Sequence, residues 1–243
     1  MGREYRRENE AEVQATPEQV WEAIATGPGI DSWFMGRTRV EAGAVTTAFP
    51  GFTLNHRIGA SERDVRFSYA TETAPDGRFE AYEFLIEGRA GSSTVVRAVT
   101  SGFLPGDDWA EEFEAMSHGL DLFFATLVAY LGGFAGRTAV PLTVAGEPVT
   151  DWAATRTALL AALGLDDPRS GDAVAFTVPG AGRVEGTVYH VSDLTLGIRT
   201  GDAMYRFVRG FRGPLLGMHH LFGDVTPTTG TAWRNFLLAL PPQ

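Results

Sequence analysis

The side chains able to carry acid–base chemistry near neutral pH are five histidines: His56, His118, His190, His219 and His220. Cys and Lys are both absent, and all 20 basic residues are Arg. Disulfides, thiolate catalysis, Cys-based metal sites, Schiff-base chemistry and a P-loop lysine are therefore excluded. No G-x-S-x-G, H-E-x-x-H or EF-hand loop occurs. His219 and His220 are neighbours in a strand-like segment, where successive side chains point to opposite faces. The pair cannot readily ligate one metal and reads as structural. His118 falls opposite the apolar stripe of a long helix and is expected in solvent. His56 and His190 each stand alone, as surface or satisfied core histidines do. "GPGIDS" holds only the first two glycines of a dinucleotide fingerprint and follows a helix rather than a strand. Neither a cofactor nor a metal is expected.

Two groups remain. Arg97 interrupts "TVVRAV" with a permanent charge. Facing inward, it could orient a carboxylate or phosphate at a cavity floor. Facing outward, the favoured alternative, it would pair with a strand carboxylate such as Glu83. The second group is aromatic and apolar: Trp33, Phe34, Phe67, Tyr69, Tyr82, Phe84, Phe113, Met116 and Leu120. These could line a pocket, or equally fill a core. Trp33 and Phe34, after Gly27-Pro28-Gly29, could form a cavity lip or pack over a sheet edge.

The elements that must position these residues are legible. Thr16, Pro17 and Gln19 form a capping box with proline at the first helical position, so a helix begins there. Thr26-Gly27-Pro28-Gly29 is expected to end it, with a further helical turn over Ile30 to Phe34. "AEVQA" before the helix reads as a strand. Val65, Phe67 and Tyr69 alternate in one later strand, and Tyr82, Phe84 and Ile86 in the next, with Asp76-Gly77 turning between them. Ser92 to Phe103 is a further strand with apolar residues on both faces. A helix over about Asp107 to Gly132 aligns Trp109, Phe113, Met116, Leu120, Phe123, Phe124, Leu127 and Leu131 on one stripe. Asp107, Asp108, Glu111 and Glu112 at its start read as helix capping and a solvated face.

After a join, "GRTAVPLTVAGEPVT", a helix capped by Thr150 runs from about Asp151 to Leu163 and stops at Gly164. Strands follow at Ala173 to Val178, Arg183 to Val191, Leu194 to Thr200, Ala203 to Phe211 and Leu216 to Phe222. A last helix carries Trp233, Phe236, Leu237 and Leu240 before Pro241 and Pro242. Each half runs helix, antiparallel strands, terminal helix, so the second reads as a shortened, diverged version of the first.

The 243 residues are 44% hydrophobic with a formal charge of −10. Residues 1–136 carry 11 Arg against 21 acids and the remainder nine of each, which supports two units, 1–136 and 137–243. The acidic balance argues against nucleic-acid binding. The start shows neither an apolar signal core nor a myristoylation signal. The run Leu120 to Leu131 contains Asp121 and is too short for a membrane span, so a cytoplasmic protein without a membrane partner is expected.

"ATPEQVWEAIATGPGIDSWF", "YEFLIEGRAGSSTVVRAVTSGF" and "DDWAEEFEAMSHGLDLFFATLVAYL" resemble the SRPBCC or START-like superfamily. Within it they look like the bacterial branch related to the C-terminal domain of the activator of heat-shock protein 90 ATPase. The resemblance covers about residues 8 to 136. It implies an α+β helix-grip fold, a curved antiparallel sheet around a long C-terminal helix with a cavity between them, followed here by a smaller α+β unit. It also implies binding of a small hydrophobic molecule, without catalysis or with weak catalysis, the second unit shielding or regulating the cavity. The alternatives are a co-chaperone-like module with a protein partner, or a homodimer, and a polyketide cyclase-like enzyme.

Overall fold

The computed structural model describes residues 2–49, 52–89, 93–107, 109–210 and 213–240. Ser92, Asp108, Phe211, Pro241 and Pro242 lie outside the described residues. The chain divides into two compact units, Met1–Ser117 with Leu127–Ala139, and His118–Thr126 with Val140–Gln243.

In the first unit β1 (Arg3–Val13) leads into α1 (Pro17–Ala25) and α2 (Gly27–Ile30). Then come β2 (Arg37–Glu41), β3 (Ala44–Phe49), β4 (Phe52–Glu62), β5 (Arg66–Thr71), β6 (Phe79–Gly88) and β7 (Thr94–Leu104). The sheet is antiparallel in the order β1-β7-β6-β5-β4-β3-β2, so the first strand pairs with the last. β1 begins eight residues before "AEVQA", because its inward positions, among them Tyr5 and Arg7, alternate with outward charges that mask the apolar period.

α1 starts as the capping box requires: the Thr16 hydroxyl accepts from the Gln19 N–H, and the Gln19 side chain accepts from the Thr16 N–H at 2.9 Å. Its end differs from expectation. Gly27-Pro28-Gly29 is not a left-handed stop but the first turn of α2, with Thr26 serving as C-cap of one helix and N-cap of the next. Gly29 is needed for close approach, since a Cβ there would fall 1.8 Å from the Glu22 carbonyl oxygen. The helical turn continues to Phe34, whose N–H donates to the Ile30 carbonyl. Val65 is exposed, because the tight β4–β5 turn, with Asp64 at φ 61°, takes it out of the strand.

The long helix α3 spans Trp109–Gly133. By length and composition it could cross a membrane, yet its apolar residues have partners within the chain, Phe113 against Tyr5 among them. A single stripe is not what is buried. Leu122 and Ala129, on the side opposite the stripe, are buried along with Leu127 and Leu131, and His118 is half-buried rather than free in solvent.

The second unit opens on a strand where a join was expected. β8 (Val140–Pro148) is followed by α4 (Trp152–Ala162), β9 (Ala173–Val178), β10 (Gly182–Val191), β11 (Thr195–Arg199), β12 (Ala203–Arg209), β13 (Pro214–Leu221) and α5 (Thr229–Leu238). The order β8-β13-β12-β11-β10-β9 repeats the first sheet's plan, the opening strand again closing against the last. Asp151, not Thr150, caps α4 by accepting from the Ala154 N–H. Gly164, at φ 68°, stops it as expected. One face of this sheet packs α4 and α5 around Leu159, Phe176, Phe207 and Trp233. The other is covered by the His118–Thr126 stretch, where the Phe123 ring lies 5.2 Å from the Arg206 guanidinium and the Thr126 hydroxyl 2.8 Å from that of Tyr189. β11 is therefore buried on both faces, from Thr195 through Ile198.

Candidate functional site

Strand alternation delivers one continuous aromatic face on the inner side of the first sheet. β5 places Phe67 and Tyr69 there, β6 places Tyr82 and Phe84, and the turn after α2 lays Trp33 and Phe34 over them. Trp33 is 2% exposed and donates its indole N–H to the Ala23 carbonyl at 2.8 Å, so it packs as interior and not as an exposed lip. The rings meet edge to face: Trp33 on Phe84 at 6.0 Å, Phe34 on Tyr82 at 5.8 Å and Trp21 on Phe67 at 5.7 Å. Tyr69 lies 5.2 Å from Tyr82. Such pairs add about 0.5–1.5 kcal/mol each beyond their area.

The remaining expected residues are placed differently. Phe113 and Met116 are half-buried on the first turns of α3. Leu120 is buried, but in the stretch that groups with the second unit. Arg97 points outward and exposed, its guanidinium bound to Glu10 at 2.6 Å, while Glu83 pairs with Arg66. Strand parity decides this: Arg97 shares its face with Val95 and Val99, opposite that of Val96 and Thr100. A groove of about 240 Å³ on the outward face is lined by Arg6, Arg57, Ser68, Glu83 and Ser101 among others.

Polar groups join the aromatic face at one end. The Tyr82 hydroxyl donates to Glu80 at 2.6 Å, and the Glu80 N–H donates to the Thr71 hydroxyl at 3.0 Å. Burial raises the Glu80 carboxyl above its ordinary value, with the Tyr82 hydrogen bond and the Arg78 charge working against that. Tyr5 and Tyr69 are pushed up by burial and then by the Glu80 charge, which groups three phenols around one carboxylate. Arg78 in turn binds Glu112 of α3 at 2.6 Å, so part of the helix's acidic cluster is an ion pair and not merely solvated.

Among the described residues of this unit, further side chains have buried hydrogen-bonding atoms that are unmet, Asp64 Oδ1 among them. The Ser117 hydroxyl is buried without a partner, and so are both ring nitrogens of His56. Sequence reasoning passed over Glu80 and Tyr5 and read His56 as a surface or satisfied core histidine, whereas it is buried and unsatisfied. For His56 a signal exists, since Leu54 and Ile58 flank it two residues either side and mark its face as inward. For Glu80 the alternation of Tyr82, Phe84 and Ile86 marks the same face, but a carboxylate at a strand end reads as surface.

In the second unit His219 and His220 do point to opposite faces, and both are buried. The His219 Nδ1 accepts from the Arg206 N–H at 3.2 Å, and its ring meets Trp233 edge to face with centroids 4.2 Å apart. His220 Nε2 faces the Arg206 guanidinium at 2.5 Å, and Arg206 Nε donates to the Met218 carbonyl at 2.7 Å.

In the first unit an antiparallel sheet whose first strand pairs with its last, β1 against β7, is combined with two short helices after β1 and a long helix after β7. The first unit is a helix-grip fold. No family model matches this sequence, and no curated protein matches it either. Solved structures similar to the chain include a Mesorhizobium loti protein, 21% identical over 52% of this chain and 96% of its own, with a TM-score of 0.44. The Aha1 dimer from Colwellia psychrerythraea is 17% identical over 52% of this chain and 96% of its own, at 0.42. The di-domain ARO/CYC BexL from the BE-7585A biosynthetic pathway spans both units, 12% identical over 95% of this chain and 88% of its own, at 0.47. At such identities and scores the likeness is one of shape, and no function passes with it.

Proposed function

We propose that the first unit binds a small, largely apolar molecule on the inner face of its sheet, without catalysing a reaction. The supporting observation is the carboxylate–phenol pair, Glu80 with Tyr82, set into the aromatic wall. Stability alone gives no reason to half-bury a carboxylate on an aromatic face, since partial loss of its hydration is a cost that its partners must offset. Rings for contact area and a few fixed polar groups for orientation are the composition of a small-molecule site. A second reading, proton-transfer catalysis of a cyclase-like kind, is favoured by the same Glu80, because burial raises its carboxyl and so makes it a better proton acceptor than an exposed carboxylate.

Native mass spectrometry of the full chain, with organic extraction of whatever co-purifies, tests the binding reading. A stoichiometric adduct that Phe84→Ala weakens and Arg97→Ala leaves intact is the expected result. An adduct indifferent to Phe84→Ala would place binding elsewhere. No adduct, together with no uptake of naphthalene in equilibrium dialysis, would refute it. Turnover of the extracted compound, lost in Glu80→Gln, would favour the catalytic reading.

A further inference from the structure

Among the described residues of the inner face, His56 is a polar side chain with no hydrogen bond at either ring nitrogen. It is 4% exposed, and neither Nδ1 nor Nε2 has a partner. Its ring stands edge to face with Tyr69 at 5.2 Å and with Tyr82 at 5.9 Å, so it belongs to the aromatic wall already described. The strand register sets it between Val45 on β3 and Thr71 on β5. Burial lowers its pKa and keeps the ring neutral; the nearby Val45 carbonyl works the other way, without hydrogen-bond geometry to either nitrogen.

A neutral imidazole presents one N–H and one lone pair. Leaving such a group buried and unmet costs about 1–3 kcal/mol. A leucine at this position, between Leu54 and Ile58 on the same face, would carry no such penalty. A group arriving at His56 gains hydrogen bonds and competes only with the poorly aligned Val45 carbonyl, and discrimination of this kind, by buried polar groups left unpaired in the wrong complex, is the strong kind.

We infer that His56 is the specificity-determining anchor of the first unit, and that its ligand is an uncharged aromatic compound bearing a hydroxyl group. The hydroxyl meets either tautomer, donating to a lone pair or accepting from an N–H. The flat rings of Tyr69, Tyr82 and Phe84 favour a ring over a flexible chain, whose ordering costs more. A neutral imidazole supplies no charge for an anion, and the Glu80 carboxylate on the same face opposes one. The inference rests on the binding reading above.

The test uses naphthalene, 2-naphthol and 2-naphthoate in equilibrium dialysis against the full chain and its His56→Leu and His56→Gln variants. The wild-type chain should bind 2-naphthol about ten-fold tighter than naphthalene, as one or two net hydrogen bonds allow. It should hold 2-naphthoate no better than naphthalene. His56→Leu should keep the naphthalene affinity and lose the preference for 2-naphthol, and His56→Gln should keep part of it. A preference that survives His56→Leu overturns the anchor while leaving the binding site standing. Failure of all three probes to bind any form overturns the site itself, and the anchor with it. In the wild-type chain, a long-range proton–nitrogen spectrum gives a reading independent of variant folding. The His56 ring nitrogens should shift with 2-naphthol and not with naphthalene; equal responses would also refute the anchor.

Discussion

Lowering the pH should unfold the second unit through His219, by an amount that can be worked out. Burial, and then the Arg206 charge, bring its pKa from 6.5 down to about 3. Above pH 6.5 the ring is neutral whether folded or unfolded, and stability does not depend on it. Below that the unfolded chain takes up a proton that the folded chain refuses, so stability is lost progressively as pH falls toward the folded value. At pH 5 the unfolded state is favoured by a factor of about 30 relative to pH 8, or about 2 kcal/mol from this one group. Other titrating groups overlap: His190, lowered by burial, acts in the same sense, and Glu80, raised by burial, in the opposite sense. A variant isolates the His219 share. His219→Asn keeps an acceptor for the Arg206 N–H but does not titrate. Urea unfolding followed by the fluorescence of Trp233, which touches the imidazole, should show the wild type losing about 2 kcal/mol more than the variant between pH 8 and pH 5. The variant should start lower at pH 8 through lost ring contacts. Parallel losses in the two proteins would refute the reasoning, because they would mean that the folded state accepts the proton.

Three further outcomes are expected. Gly29→Ala drives a methyl into the Glu22 carbonyl and should cost about 3 kcal/mol or more, whereas Gly132→Ala in α3, with open space around it, should gain roughly 0.5–1 kcal/mol; urea midpoints read both. Thr16→Ala removes the capping box and should cost about 1 kcal/mol, with Thr16→Ser restoring most of it. Arg97→Ala should leave the urea midpoint unchanged, and a clear drop would show that its outward pair with Glu10 matters more than exposed pairs do.

The residues for which sequence and structure diverge have a common cause. Thr16, Pro17 and Gln19 act within one helical turn, so their types alone locate the start of α1. Phe67, Tyr69, Tyr82 and Phe84 share a face because alternation is a property of the strand itself. Gly29 looked like a helix stop because glycine suits two purposes, and the choice between a left-handed turn and close backbone contact depends on where the Glu22 carbonyl lies. "VPLTVAGEP" looked like a join because Pro141, Gly146 and Pro148 weaken a strand signal, but at a sheet edge those residues are tolerated and the pairing with β13 supplies the order.

By itself, the sequence determined the start of α1, the shared face of Phe67, Tyr69, Tyr82 and Phe84, and the exclusion of Cys and Lys chemistry, all of which follow from nearest-neighbour periodicity and composition. Tertiary structure alone decided which single residues matter. Only the assembled sheet turned Arg97 outward and drew Glu80 inward, and only side-chain packing left His56 with two unmet nitrogens. Burial on both sides of α3, and on both faces of β11, arose likewise from packing between segments far apart in the chain. A hydropathy pattern records that a residue is apolar or charged; whether its hydrogen bonds are met depends on atoms contributed by distant strands.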